Sequence, residues 1–256
     1  MSGTRDIHVN NITIDGTQTG GGGGGGAPTT SEYVLGATDG TLTNAAVNTD
    51  AYMGIDVTPA SPNAMDDEFT GSSLDVKWTV GSVGSGITET LANSRLIWNW
   101  AAGGATGRWI EQAYTAPGSF ILKATMTPGI AVNYLGMGLY FRDSSSGKIQ
   151  IFQYVYNTGV SPQGWGLGVF NESSYNTYVS TAHSQNNSPT PLIWLKAYDD
   201  STNFNFYASH DGIGWVLVYQ ASRTAYLATP DRIGIQSAPQ ASYASVYTYD
   251  YFRRVI

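Results

Sequence analysis

Acidic and aromatic side chains are the groups in this sequence that could do chemistry. Hydrolysis of a sugar acetal needs two carboxylates flanking the scissile bond. Closely spaced acids occur as Asp66-Asp67-Glu68 and Asp199-Asp200, while Glu111 stands alone on its strand. Asp199-Asp200 reads as a solvated turn and Glu111 lacks a partner, so no catalytic residue is assigned. His8, His183 and His210 lie far apart, and neither H-x-x-x-H nor H-E-x-x-H occurs, so zinc is not expected. His210 precedes Asp211-Gly212 as a turn residue. No G-x-S-x-G is present.

Hard cations need clustered oxygens. Asp66, Asp67 and Asp250 lie near the two ends of the main domain and would meet if its first and last strands were neighbours. They are the candidate ligands of a structural calcium, against the alternative of a strand cap and a solvent-facing Asp250.

Stacking on sugar faces needs aromatic rings with polar neighbours. Trp98 and Trp100 share a face of one strand, and Tyr247 and Tyr249 share a face of the last, with Tyr251. Tyr140, Arg142, Tyr154 and Tyr156 are candidates for a patch on adjacent strands, and Trp165 sits between Gly164 and Gly166. Tyr251 apart, these nine residues are the candidate carbohydrate-binding set. Each could equally pack a core or a subunit interface, where tyrosine is favoured.

Among 256 residues only 12% are charged, and Lys plus Arg total 12 against 19 Asp plus Glu. A net charge of −7 argues against nucleic acid and anionic membranes as partners. There is no cysteine, hence no disulfide or thiolate site. No run of about 18 apolar residues exists, so membrane insertion is not expected. The start Met1-Ser2-Gly3-Thr4 lacks the apolar segment of a secretory signal.

Gly20 to Gly26 is a polyglycine tract that should behave as a flexible coil. Residues 1–63 therefore read as an extended arm, with Ile7 to Ile14 as a short alternating stretch and short strands near Tyr33-Val34-Leu35. Pro59, Ser61 and Pro62 mark a linker. Residues 64–256 read as all-β. Twelve strands are predicted at 95–100, 107–115, 119–127, 134–143, 148–157, 164–171, 175–181, 191–198, 203–209, 214–220, 232–237 and 243–255, each bounded by Gly, Pro, Asn, Asp or Ser. That spacing indicates a sandwich or barrel.

Several phrases, in order, resemble concanavalin-A-like lectin and glucanase domains of the LamG-like jelly-roll type. They are Asp66-Asp67-Glu68-Phe69 with Trp78, then Gly138-Leu139-Tyr140-Phe141-Arg142-Asp143, then Trp194-Leu195-Lys196 with Phe206 to Trp215, and finally Arg232 to Ile235 with Asp250 to Arg253. The resemblance implies a two-sheet jelly-roll sandwich with Trp78, Trp194 and Trp215 in its core. Glucanases of that fold carry E-x-D-x-x-E on one strand, and this sequence lacks it. Ser31 to Asn44 resembles a short motif of tailed-bacteriophage virion proteins.

Together these imply a non-enzymatic bacteriophage virion protein, either a capsid decoration or a tail fibre component. The arm would bind other virion proteins, and the homo-oligomeric lectin-like domain would bind a cell-surface glycan. The protein would be located in the virion. Two alternatives stay open: a glycoside-active enzyme or its carbohydrate-binding module, and a structural cement without a ligand.

Overall fold

The structure is a computed structural model, and it describes residues 34–35, 42–43, 63–101, 107–128, 135–157, 164–186, 192–238 and 244–255. The polyglycine tract, residues 7–14 and His8 lie outside the described residues. The chain divides into two units, Met1–Asp50 and Ala51–Ile256. In the first, β1 (Val34–Leu35) pairs antiparallel with β2 (Leu42–Thr43).

In the second unit, turn residues cut an alternating sequence into fourteen strands. These are β3 (Thr79–Val83), β4 (Ile87–Leu91), β5 (Leu96–Trp100), β6 (Gly107–Ala113), β7 (Gly118–Pro128), β8 (Gly136–Arg142) and β9 (Ile149–Asn157). There follow β10 (Gly164–Ser174), β11 (Thr177–Asn186), β12 (Leu192–Asp199), β13 (Asn203–Ser209), β14 (Val216–Ser222), β15 (Arg232–Ala238) and β16 (Ser245–Arg254). All twelve predicted strands are present. β3 and β4 were not anticipated: β3 is exposed along nearly its whole length and carries Gly81, so it shows no apolar face.

The strands form two antiparallel seven-stranded sheets that make a sandwich. The first sheet runs β11-β10-β9-β8-β15-β6-β3, and the second runs β14-β13-β12-β7-β16-β5-β4. Alternation sends Met137, Leu139 and Phe141 of β8 inward, against Phe120, Leu122 and Ala124 of β7 and Phe204 and Phe206 of β13, all buried. Phe141 of the first sheet stacks on Phe204 of the second at 4.9 Å. The first and last described segments of this unit meet. Asp67 bridges Phe252, and Trp78 packs edge-on against Phe252 at 5.2 Å while its indole N–H donates to Asp67 at 2.6 Å.

Candidate functional site

The outer face of the first sheet is unusual because it is also largely buried. Strand register places Glu111, Gly234, Tyr140, Ile151 and Phe170 in one row across β6, β15, β8, β9 and β10. Residues two positions along a strand share its face. Trp109, Gln236 and Gly138 therefore join this face on one side of the row, and Arg142, Ile149 and Glu172 on the other. Tyr140, Ile149 and Ile151 form a second small apolar cluster, flanked by Trp109 and Tyr175.

Glu111 is the polar centre. Its Oε1 accepts from Arg142 at 2.8 Å, and its Oε2 accepts from the hydroxyls of Tyr140 and Tyr175. Gly234 makes this possible. A Cβ there would lie 2.4 Å from the Tyr140 ring, so only glycine lets Tyr140 cross β15 to reach β6. Burial, then the neighbouring Tyr175 and Glu111, raises the Tyr140 hydroxyl far above its ordinary value. Burial and the bond to Glu111 do the same for Tyr175.

Tyr175 sits in the turn between β10 and β11, yet its hydroxyl reaches a residue of β6. In a flat sheet those strands would lie about 19 Å apart, four spacings of ~4.8 Å. The sheet therefore curls, and the β10–β11 hairpin folds over its outer face. Tyr175 is stacked on Trp109 at 3.7 Å, with Arg142 over its ring at 5.2 Å. A cavity of about 20 Å³ remains, lined by Trp109, Glu172, Tyr175, Asn176 and Gln236 among others. That is room for one water.

Glu172 lines this cavity; Glu111 does not, and meets it only through the shared neighbour Tyr175. Burial pushes Glu172 up to about 7, against the opposing pull of the Asn176 backbone N–H at 2.9 Å. Two further polar atoms of the face, Gln153 Oε1 and Arg142 Nε, are buried without a hydrogen-bond partner. Sequence reasoning missed Glu172 as a site residue, because the strand was expected to end at Asn171. It also dismissed Glu111, whose partner comes from a strand far along the chain.

The sequence-predicted aromatic set is not one site. Trp98, Trp100, Tyr154, Tyr247 and Tyr249 are at most 3% exposed and fill the core between the sheets. They cannot meet a sugar without unfolding the sandwich. Tyr140 and Tyr154 do not form a patch, because Tyr154 pairs with Met137 and faces inward while Tyr140 faces outward. Tyr156 and Trp165 pair with each other, half-buried, and Trp165 stacks on Tyr154 at 5.1 Å. Arg142 is held by Glu111. Trp194 and Trp215, expected in the core, instead lie half-buried on the outer face of the second sheet.

The three aspartates proposed for calcium are occupied by protein donors. Asp66 accepts from the backbone N–H groups of Asn63 and Arg254, and Asp67 accepts from Phe69 N–H and Trp78. Asp250 is paired with Arg95 at 2.7 Å and Lys123 at 2.9 Å. Among the described residues no group of three His, Cys, Asp or Glu is arranged to hold a metal.

No family model and no curated protein sequence matches the chain. Solved structures do. The GH43 protein BlXynB from Bacillus licheniformis superposes with TM-score 0.54 at 14% identity over 74% of this chain. GH43B of a Bacteroides ovatus xyloglucan locus gives 0.55 at 14% over 76%. The chain spans only 38% and 39% of those two proteins. A β-1,3-glucanase from Mycobacterium marinum gives 0.54 at 11%, covering 76% of this chain and 99% of the glucanase. At these identities the likeness is one of fold: the chain has a β-sandwich of the kind found in glycoside hydrolases. These neighbours overturn the expectation of a non-enzymatic virion component, since those with an assigned activity are glycoside hydrolases and no virion link emerges.

Proposed function

We propose that the sandwich, of the concanavalin-A-like jelly-roll type, is a glycoside-active enzyme domain that works on the outer face of its first sheet. The observation that carries this reading is the pair of carboxyls, Glu111 and Glu172, held in different environments beside Tyr175. Hydrolysis of a glycosidic bond divides acid and base roles between two carboxyls. Glu172, pushed up to about 7, retains a proton near neutrality and serves as the acid that protonates the leaving oxygen. Glu111, ion-paired with Arg142, supplies the carboxylate on the other side of the bond. Gln153 and Arg142 offer unspent polar atoms for sugar hydroxyls, and Trp109 offers a ring. The hairpin carrying Tyr175 must lift for a sugar to enter.

That closure favours a second reading. A cavity of about 20 Å³ is far below the ~300 Å³ of small ligand sites, so the domain as it stands could be a carbohydrate-binding module of such an enzyme. One experiment separates the two: reducing-sugar release from β-1,3-glucan, xylan and xyloglucan, with Glu111→Gln and Glu172→Gln. Release lost in both variants supports the enzyme. Retention of the chain on one of these polymers without release, unchanged in both variants, supports the module.

A further inference from the structure

The outer face of the second sheet carries a different constellation. Register places Tyr207, Lys196, Ile121 and Arg253 in one row across β13, β12, β7 and β16. Ser209, Trp194, Lys123 and Tyr251 form the next, one strand repeat of ~7 Å away. Beyond them the small side chains of Thr125 and Thr248 leave a hollow of about 300 Å³, lined also by Arg95, Lys123 and Asp250. That is at the lower end of volumes that hold small ligands.

The charges here run against the chain as a whole. Net charge is −7, yet this face presents Arg95, Lys123, Lys196 and Arg253 against Asp250 and Glu68. Asp250 is engaged by Arg95 and Lys123 together, and Glu68 by Arg253 at 2.7 Å. Asp211, in the neighbouring hairpin, is turned into its own loop by Ser209 and the N–H groups of Ile213 and Gly214. Lys196 has no carboxylate within ion-pair reach among the described residues. It is held between the rings of Tyr207 at 4.4 Å and Trp215 at 4.6 Å, and burial lowers its proton affinity. A lysine placed between two rings without a carboxylate, on the same face as a hollow where Arg95 and Lys123 share the single Asp250, leaves this face short of negative charge.

Rings and cations side by side suit one ligand chemistry: a sugar bearing a carboxylate. Trp194 is fixed by its indole N–H to the Tyr251 hydroxyl at 2.9 Å and carries Lys123 over its ring at 5.4 Å. Its row, opposite Lys123, lies between that of Lys196 and that of Thr125, which lines the hollow.

We propose that this face binds a uronic-acid-containing polysaccharide, with one sugar seated in the hollow, its carboxylate on Arg95 and Lys123, and the next uronate reaching Lys196. This rests on the glycan reading above but uses the opposite side of the sandwich, so the two can fail separately.

The test is calorimetric titration of the full chain with oligogalacturonate, with neutral xylo-oligosaccharide and dextran sulfate as comparisons, at two salt concentrations. Oligogalacturonate should bind, more weakly at high salt, and neutral oligosaccharide should bind much less. Arg95→Gln and Lys196→Met should each weaken binding about tenfold, the loss of one charge-assisted contact. Both should keep the wild-type melting profile and reducing-sugar release from neutral glucan, while Glu111→Gln should leave oligogalacturonate binding intact. Absence of binding to the folded wild type would overturn the proposal, as would equal affinity in both variants. Dextran sulfate binding as tightly as oligogalacturonate would also overturn it, reducing the face to an ion exchanger.

Discussion

The Tyr175 hydroxyl donates to the Glu111 carboxylate across three intervening strands, closing the β10–β11 hairpin over the outer face of the first sheet. Tyr175→Phe keeps the stack on Trp109 and removes only the donor. A buried acceptor that loses one of its donors costs about 1–3 kcal/mol. We expect that loss in urea unfolding, with faster amide exchange confined to β10 and β11. Exchange that quickens equally in β12 and β13 would mean the hydroxyl supports the whole sandwich rather than the hairpin.

Glu172 gives the sandwich a pH dependence of definite sign. Its folded value, about 7, lies above its ordinary value of 4.5. Between these the folded state holds more protons than the unfolded chain, so stability falls as pH rises through the window. The contribution is full below about 4.5 and gone above about 7, at most about 3 kcal/mol. Glu172→Gln should flatten the profile of urea midpoints between pH 5 and 7. In the hydrolytic reading, kcat should fall as pH passes 7, where the acid loses its proton. A variant profile as steep as the wild type would assign the slope to another group.

Much of this architecture is legible in the sequence, but not which face of each strand is inside. Turn residues delimit β5 to β16, and alternation groups Leu139 with Phe141 and Tyr140 with Arg142. In β8 and β9, however, both sides are buried, so the pattern that separates core from solvent in a half-exposed strand is missing. Tyr154 therefore resembled a partner for Tyr140, when the register turns it to the other side. Glu172 was hidden for a different reason. Its role depends on a hairpin folding back over a curled sheet, and nothing local to Asn171-Glu172-Ser173 encodes that reach. The usable signal was a lone acid on β6 next to Ile110 and another near the end of β10, two residues after Phe170.

Glycines on the outer face differ in what they tolerate. At Gly138 a Cβ would lie 2.0 Å from the Phe152 carbonyl oxygen and 2.6 Å from Gln153 Cα, both backbone atoms. At Gly168 the nearest atoms belong to the Phe170 ring, which can turn. Gly138→Ala should therefore force β8 and β9 apart, costing about 1–3 kcal/mol or more, and Gly168→Ala distinctly less. Urea midpoints of the two variants test the order, and a reversed order would place β8 differently against β9.

Trp98 and Trp215 are both tryptophans on strands or strand ends of the second sheet, with opposite roles. Trp98 is fully buried, in edge contact with Tyr249 at 4.9 Å, and its indole N–H donates to Glu89 at 2.9 Å. Trp98→Ala leaves a large cavity and removes one of two donors to Glu89, the other being Arg108 at 2.6 Å, so we expect a loss of about 3–5 kcal/mol. Trp215 is half-buried on the outer face, beside Lys196. Its replacement by alanine removes a cation–π contact of ~0.5–1 kcal/mol and little core packing. Stability should then barely change, while oligogalacturonate binding weakens. Unfolding curves and titrations of both variants decide the matter. Trp215→Ala proving the more destabilising would invert the assignment of inner and outer faces in the second sheet.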